Sequence, residues 1–204
     1  TDSLCRRPSW EPLTLERLSR VHSLEYAKEV ETLAASGGGW IEADTFVSPR
    51  SYEVALHAAG AAADAVWRVV AGEDRRAFCL TRPPGHHAFA DRPMGFCLFN
   101  NVAIGARLAV TEFQLDRVLI VDWDVHHGNG TQDAFYADPD VLFFSLHQDR
   151  LFPTDTGWLE QQGTGAGEGF TVNLPLPPGC GDPTYRAAFD EIVLPIADAF
   201  QPEL

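Results

Sequence analysis

Three short apolar runs, each followed by polar residues, limit the possible folds of this chain more than any other feature of its sequence. The runs are Ala77–Leu80, Val118–Val121 and Val141–Phe144. Their hydrophobicity is continuous rather than alternating, which is typical of strands that are covered on both faces. Helical patterns separate them, and this alternation predicts a parallel sheet between helices. We therefore predict an α/β fold, a three-layer α/β/α domain with a mainly parallel sheet.

The remaining segments supply the helices of that fold. Apolar residues recur every three positions over Leu15–Ala35 and predict one helix, and Ser48-Pro49 marks the start of an Ala-rich helix over Ser51–Val70. The other predicted elements are helices over Asn101–Phe113, Thr131–Tyr136 and Pro183–Phe200, a strand over Thr171–Leu174, a loop or short strand over Trp40–Val47, and a Gly-rich loop over Leu151–Gly169. A length of 204 residues suits one medium domain, 1–204, better than two small ones.

Composition and charge exclude several classes of partner. The formal net charge is −14 and no basic cluster offsets it, which argues against a binder of nucleic acid or of anionic membranes. No apolar run approaches the ~18–20 residues needed to cross a bilayer. The four cysteines (Cys5, Cys79, Cys97 and Cys180) have no paired spacing and predict buried free thiols in a reducing compartment. We therefore expect a cytoplasmic protein, and a homo-oligomer remains possible.

Polar side chains follow all three predicted strands, and five of the seven histidines lie there. Ligands bind beyond the carboxyl ends of strands in open parallel sheets. Alternate residues of an extended backbone face the same way, so Asp122, Asp124 and His126 are expected to converge at one strand end. Carboxylate oxygen and imidazole nitrogen are zinc ligands, and a catalytic zinc uses about three protein ligands and a water. The sequence predicts a metal site, although one Asp or His alone would more simply be a helix cap or a core residue.

Two adjacent histidines, His86 and His87, follow a Pro-Pro-Gly turn. A metal-bound water that attacks an amide needs one group to take its proton and another to protonate the leaving amine. Histidine performs both tasks near neutral pH. The spacing alone leaves two alternatives open, a pair of metal ligands or a buried histidine beside an exposed one.

Three motifs in order carry a resemblance to a known family. RPPGHHA at 82–88, MGFCLFNN at 94–101 and DWDVHHGNGTQ at 122–132 closely resemble zinc-dependent histone deacetylases, and the resemblance runs from about Leu15 to Leu204. The class II type, which includes bacterial histone-deacetylase-like amidohydrolases, is nearer because Asn129 stands where class I relatives carry Asp. The resemblance implies the arginase–deacetylase architecture and hydrolysis of N-acetyl amides on lysine side chains, with release of acetate.

The same resemblance implies a role for each site residue. The implied catalytic residues are His86, His87, Asp122 and Asn129, and the implied zinc ligands are Asp124 and His126. His86 corresponds to the histidine supported by Asp122, and His87 to the one supported by Asn129. A neutral amide orients an imidazole but does not stabilise imidazolium as a carboxylate does. We therefore expect His87 to be the more readily neutral histidine and the better general base.

Substrate-binding and potassium-binding positions are also implied by the resemblance. Phe96 and Phe152 match the two rings that line the acyl-lysine tunnel, with Gly95 beside them, and Asp44 matches a rim aspartate that grips the substrate backbone. Ordinary core phenylalanines are the simpler alternative for the two rings. The implied structural potassium site uses Asp122, Ser145 and the carbonyls of Asp124, His126 and Leu146.

Two expected motifs are not found within 1–204. One is an aspartate in a motif like Gly-Phe-Asp-Ala, the third zinc ligand of the family, and the other is a Tyr or His in a Gly-Gly-rich loop that polarises the scissile carbonyl. We therefore expect an incomplete domain that lacks its C-terminal part, binds zinc weakly and is inactive by itself.

Rival functions remain open at this point. A hydrolase of acetylpolyamines or other small amides keeps the chemistry and takes an acetylated amine instead of acetylated lysine. An arginase-like two-manganese hydrolase needs more bridging carboxylates than residues 122–126 provide. A non-catalytic module that only binds acetyl-lysine is favoured by the missing C-terminal third alone, because His86, His87, Asp124 and His126 are intact.

Overall fold

A computed structural model describes residues 8–204 and places a three-stranded parallel sheet at the centre of the chain. Its strands lie in the order β3-β4-β5, and a separate two-stranded sheet pairs β1 with β2. The elements are α1 Leu15–Leu18, α2 Leu24–Ala35, β1 Gly39–Glu42, β2 Thr45–Val47, α3 Ser51–Val70, α4 Asn101–Phe113, β3 Val118–Asp122, α5 Asn129–Phe135, β4 Val141–Gln148, β5 Thr171–Leu176, α6 Asp182–Ala188 and α7 Leu194–Phe200.

Helices cover both faces of the central sheet. Phe143 on β4 belongs to a buried cluster with α4 and α5, whereas its neighbour Phe144 packs on the other side against α6 and the segment that follows it. Successive side chains of a strand point to opposite faces, so the apolar residues Val141–Phe144 of β4 are buried on both faces of the sheet. All residues from Val141 to His147 are buried. The predicted three-layer α/β/α arrangement with a parallel sheet is confirmed.

A further helical layer packs outside α4. Ala59 and Ala63 of α3 belong to one buried cluster with Val30 of α2 and Ile104 and Leu108 of α4. Small side chains on α3 allow the helices to approach closely. The structure confirms α3 and α4 with the bounds that the sequence predicted.

The helix predicted over Leu15–Ala35 is instead two helices. The chain leaves the helical path after Leu18, and the Ser23 side chain accepts a hydrogen bond from the Tyr26 backbone N–H at 3.1 Å, which caps α2. His22 lies at the break and is 1 % exposed. Both of its ring nitrogens make hydrogen bonds to the Phe89 carbonyl and the Asn100 N–H, each at 2.8 Å. Periodicity alone therefore missed a break that tertiary hydrogen bonds stabilise.

The strand predicted over Ala77–Leu80 does not form. Phe78 and Leu80 are 85 % and 86 % exposed, and the segment belongs to no helix or strand. A strand needs a neighbour for its backbone hydrogen bonds, and no strand within residues 8–204 lies beside this segment. The free edge of β3 is partly covered near the chain end, where Glu203 N–H bonds to Arg117 O at 2.8 Å and Leu119 N–H to Leu204 O at 2.9 Å.

Other differences from prediction are small. Trp40–Val47 forms the β1–β2 hairpin, β4 extends to Gln148, and a π-helical turn over Phe189–Val193 interrupts the last helix just before Pro195, which has no N–H to donate. Of the cysteines, Cys97 is buried as predicted, Cys180 is half-buried, Cys79 is exposed, contrary to prediction, and Cys5 lies outside the described residues. No helix within residues 8–204 is long and apolar enough to span a membrane.

The exposure of Phe78 and Leu80 predicts their contribution to stability. Replacing either with Ala in the 204-residue chain changes the free energy of unfolding by less than about 0.5 kcal/mol, as for most surface positions. The matched control Phe143→Ala removes a fully buried strand residue and costs about 3–5 kcal/mol. Chemical denaturation monitored by circular dichroism measures both. A loss of several kcal/mol for Phe78→Ala contradicts the placement of this segment outside the sheet.

Candidate active site

The site begins where β3 ends at Asp122. Beyond it the chain forms turns rather than strand: the Asp124 N–H donates to Asp122 Oδ1 at 3.1 Å, and the His126 N–H donates to Asp124 Oδ1 at 2.8 Å. Aspartate commonly stabilises turns by accepting from a backbone N–H two residues on. The three side chains are gathered by these turns, not by the alternation of an extended strand that the sequence suggested.

Two histidines lie next to each other at this edge, and each is hydrogen-bonded to a side-chain oxygen. His86 Nδ1 is 2.8 Å from Asp122 Oδ2, and His87 Nδ1 is 2.8 Å from Asn129 Oδ1. The two imidazole centroids are 4.0 Å apart. Because a carboxylate and an amide oxygen only accept hydrogen bonds, each histidine carries its proton on Nδ1, and the Nε2 of a neutral ring is left as an acceptor.

The two histidines differ in pKa. Burial lowers the pKa of His86, but its hydrogen bond to Asp122 and the charge of that carboxylate outweigh burial and raise the net value. Burial and the neighbouring His86 lower the pKa of His87 to about 4, and the hydrogen bond that His87 donates to Asn129 offsets this only in part. At pH 7 His87 is therefore neutral, whereas His86 is the more readily protonated ring.

Two of the predicted metal ligands lie side by side at the mouth of the site. Asp124 Oδ1 is 3.0 Å from His126 Nδ1, and their side chains are 49 % and 41 % exposed. The oxygen and nitrogen are donors of the kind that zinc prefers. However, the described part of the chain contains no group of three or more His, Cys, Asp or Glu side chains arranged to hold a metal. These residues fit a metal centre as two of its ligands and do not complete it.

A tight turn presses the backbone of Gly95 against the His87 ring. Met94 and Cys97 pair across the turn, and Gly95 and Phe96 between them have φ of 56° and 66°. Positive φ at both central residues defines a type I′ turn. A side chain at Gly95 would collide with His87 Cδ2, so only glycine allows this approach. The turn leaves Phe96 61 % exposed at the surface.

The β1–β2 hairpin holds this turn in place. Asp44 Oδ1 accepts from the Gly95 N–H at 3.2 Å, and Thr45 Oγ1 accepts from the Phe96 N–H at 3.1 Å. Asp44 was predicted as a residue that grips substrate, and its observed bond is to the turn that carries Phe96. Its role toward a substrate remains a prediction.

Phe152 stands edge-on to the histidines. Its ring centroid is 5.1 Å from that of His87 and 6.0 Å from that of His126, with nearly perpendicular planes. Its carbonyl accepts from the His127 N–H at 3.1 Å, which ties the Phe152 loop to the end of β3. The structure thus brings Phe152 to the site.

The other two histidines at the strand ends are buried beneath the site. His147 Nδ1 is 2.9 Å from Ser145 Oγ and its Nε2 is 2.9 Å from the Gly157 carbonyl, while His127 Nε2 is 3.1 Å from Gln132 Oε1. Burial lowers the pKa of His127 to about 3 and also lowers that of His147. Both rings are neutral supports for the loop that carries Phe152.

Three of the residues predicted to hold potassium, Asp122, Ser145 and Leu146, lie on adjacent strands, whereas Asp124 and His126 lie beyond the end of β3. Asp122 and Ser145 are paired in the β3–β4 register, and Leu146 follows Ser145 on β4. The Ser145 hydroxyl is engaged with His147. Potassium binding remains a prediction.

Two supporting residues escaped the sequence reasoning. His22 joins the loops at Phe89 and Asn100, and Met94 Sδ lies 3.2 Å from Asn129 Nδ2. His22 is far from the other histidines in the sequence, and no local pattern marks it. Met94 lies inside the MGFCLFNN motif, but its sulfur has a recognisable role only when Asn129 is placed beside it.

Two cavities lie at this site. One of 680 Å³ is lined by Asn129, Met94 and Phe152, and its wall also contains Arg92 and four acidic residues, Glu42, Asp44, Asp133 and Asp155. Another of 650 Å³ reaches His86, Asp122 and Asp124.

A parallel α/β sheet with this histidine-rich edge has the arginase–deacetylase architecture. The crystal structure of the HDA15 HD domain superposes with a TM-score of 0.93 at 41% sequence identity, covering 97% of this chain and 58% of that one. The family model of the histone deacetylase domain matches residues 2–204. The chain belongs to the histone deacetylase family.

Curated relatives agree with that assignment. The histone deacetylase-like amidohydrolase of Pseudomonas aeruginosa is 45% identical over 193 residues, which are 95% of this chain and 51% of the relative. A probable deacetylase of Archaeoglobus fulgidus is also 45% identical, over 93% of this chain and 52% of its own length. The chain spans about half the length of these relatives.

Gly95 offers a direct test of the packing around His87. We expect Gly95→Ala to displace the His87 ring and to lower the free energy of unfolding by about 1–3 kcal/mol for overpacking, in addition to about 1–2 kcal/mol for an Ala at positive φ. Gly165→Ala is the matched control, since its φ is 58° and its added methyl group would meet nothing within 4 Å. Denaturation and the His87 ring resonances report the difference. An equal loss of unfolding free energy in the two variants contradicts the close approach of Gly95 to the His87 ring.

Proposed function

We propose that this chain supplies the histidine pair and two metal ligands of an enzyme that hydrolyses N-acetyl amides on lysine side chains and releases acetate. The observation that carries the proposal is the double pairing of His86 with Asp122 and of His87 with Asn129 beside Asp124. Relatives named deacetylase and amidohydrolase support the reaction class.

The two histidines are suited to different steps. His87 is neutral at pH 7 with its proton on Nδ1, so its Nε2 lone pair is free to accept a proton from an attacking water. His86, whose pKa the Asp122 carboxylate raises, balances charge and helps to protonate the leaving amine. A zinc ion held by Asp124, His126 and a further ligand would polarise the acetyl carbonyl and make the water more acidic.

The acyl-lysine stem is proposed to lie between Phe96 and Phe152. Phe152 is placed edge-on to His87, and Gly95 allows the turn with Phe96 to reach the same ring. Aromatic walls would hold four methylene groups and exclude water from the amide. Asp44, on the hairpin behind this turn, is proposed to contact the substrate backbone.

An acetylated polyamine is the second candidate substrate. The acidic wall of the 680 Å³ cavity beside Asn129 favours a positively charged amine. We expect the complete gene product to release acetate from an acetyl-lysine peptide faster than from acetylputrescine. The reverse order favours the polyamine as substrate.

Alanine at both metal-ligand positions tests the chemistry. We expect Asp124→Ala with His126→Ala in the complete gene product to lower kcat/KM by at least about a thousandfold, the scale lost with a principal electrostatic stabiliser. Asp149→Ala with Glu160→Ala, which removes two carboxylates from loops outside the site, is the control and leaves acetate release unchanged. Undiminished hydrolysis in the ligand variant overturns the proposed function.

The amide at Asn129 predicts a pH effect. Asn129→Asp places a carboxylate on the His87 ring and raises its pKa, and because a general base works only when it is unprotonated, the acid limb of kcat/KM against pH moves upward. We expect a movement of roughly one pH unit or more. Asn129→Ser removes the amide without adding charge and does not move the limb upward. Identical profiles for the wild type and Asn129→Asp contradict the assignment of His87 as the base.

A further inference from the structure

We propose that Met94 is a positioning residue that fixes which way the Asn129 amide faces, and through it which nitrogen of His87 carries the proton. The inference rests on the proposed function only in giving His87 the task of a base.

The contacts leave the amide one favourable orientation. Asn129 is 6 % exposed, with Oδ1 2.8 Å from His87 Nδ1 and Nδ2 3.2 Å from Met94 Sδ. A thioether sulfur accepts hydrogen bonds weakly and donates none. The NH₂ end of the amide therefore faces the sulfur, and its oxygen faces the ring.

The opposite orientation of the Asn129 amide would prevent His87 from accepting a proton from water. Rotating the amide by half a turn would place Oδ1 against Met94 Sδ, where neither atom donates, and would aim Nδ2–H at His87 Nδ1. His87 would then accept at Nδ1 and carry its proton on Nε2, the nitrogen that must receive a proton from water. The ring is neutral at pH 7, so both tautomers are open to it unless its partner chooses between them.

An asparagine at position 129 needs a neighbouring group that fixes its orientation, whereas an aspartate there would not. Both carboxylate oxygens accept, so rotation of an aspartate changes nothing for the ring, whereas the two ends of an amide have opposite hydrogen-bonding roles. Met94 breaks the near-symmetry of the Asn129 side chain. This is a physical reason for a sulfur acceptor on the far side of the amide.

Met94 is held where the sulfur can act. It begins the type I′ turn, its N–H and carbonyl pair with Cys97 at 3.3 and 2.9 Å, and the next residue packs on His87. One turn thus positions both the ring of His87 and the orientation of its amide partner.

The chain contains a single methionine, which permits a one-atom test. Expression with norleucine in place of methionine exchanges the sulfur of Met94 for a methylene group of nearly the same shape. We expect the population of the Nε2–H tautomer of His87 to rise roughly two- to tenfold, the effect of losing one neutral hydrogen bond. Nitrogen-15 spectra of the histidine rings at pH 7 distinguish protonated from bare ring nitrogens.

Two further proteins identify the route of the effect. Selenomethionine in place of methionine keeps a chalcogen acceptor of nearly the same shape that donates no hydrogen bond, and we expect it to leave His87 in the Nδ1–H form. In the Asn129→Asp background the norleucine exchange should change nothing, because the carboxylate has no wrong orientation. A packing effect of Met94 would persist in that background and would overturn the proposal, as would a His87 tautomer that is unchanged by norleucine in the wild-type sequence.

The tautomer measurement is separate from hydrolysis. If the complete gene product cleaves no acetyl amide, the proposed function fails while the ring spectra still decide the role of Met94. If it does cleave one, Met94→Leu in the complete gene product should lose kcat, with KM little changed, because the stem of the substrate contacts neither Met94 nor Asn129 in the proposed pose.

Discussion

Two imidazole rings whose centroids are 4.0 Å apart, with limited access to water, are not readily protonated together, and much of the site can be understood from this constraint. The carboxylate of Asp122 favours the protonated form of His86. The amide of Asn129 accepts a hydrogen bond from His87 without adding a charge, so His87 stays neutral. The difference of one side-chain group, carboxylate against amide, divides the pair into a ring that holds a proton and a ring that receives one.

The fold supports this division with two separate devices. The parallel sheet fixes Asp122 at the end of β3 and Ser145 beside it on β4, so strand pairing positions the charged partner of His86. The partner of His87 lies instead at the start of α5 and is oriented from the opposite side by a turn whose hairpin support comes from β1 and β2. Paired strands hold the carboxylate of Asp122, and the start of α5 together with the neighbouring turn holds the amide of Asn129.

Buried neutral histidines hold together the segments of the chain around the site. His22, His127 and His147 have lowered pKa values through burial, and each bonds to groups that lie on another segment of the chain. His22 joins Phe89, which follows the 82–88 motif, to Asn100 at the start of α4, and His147 joins the end of β4 to the loop of Phe152. His22 and His147 suit this role because in each ring one nitrogen donates while the other accepts.

The sequence by itself determined the α/β class, the full extents of α3 and α4, and the place of Asp122 at the end of a sheet strand. Periodicity, caps and continuous apolar runs act within a few residues of each other, so they can be read along the chain. Only the tertiary structure decided that Ala77–Leu80 stays outside the sheet, that His22 breaks the first helix, and that Met94 Sδ meets Asn129 Nδ2. These outcomes depend on whether a distant segment supplies a strand edge, a hydrogen-bond partner or an acceptor, and no local pattern carries that information.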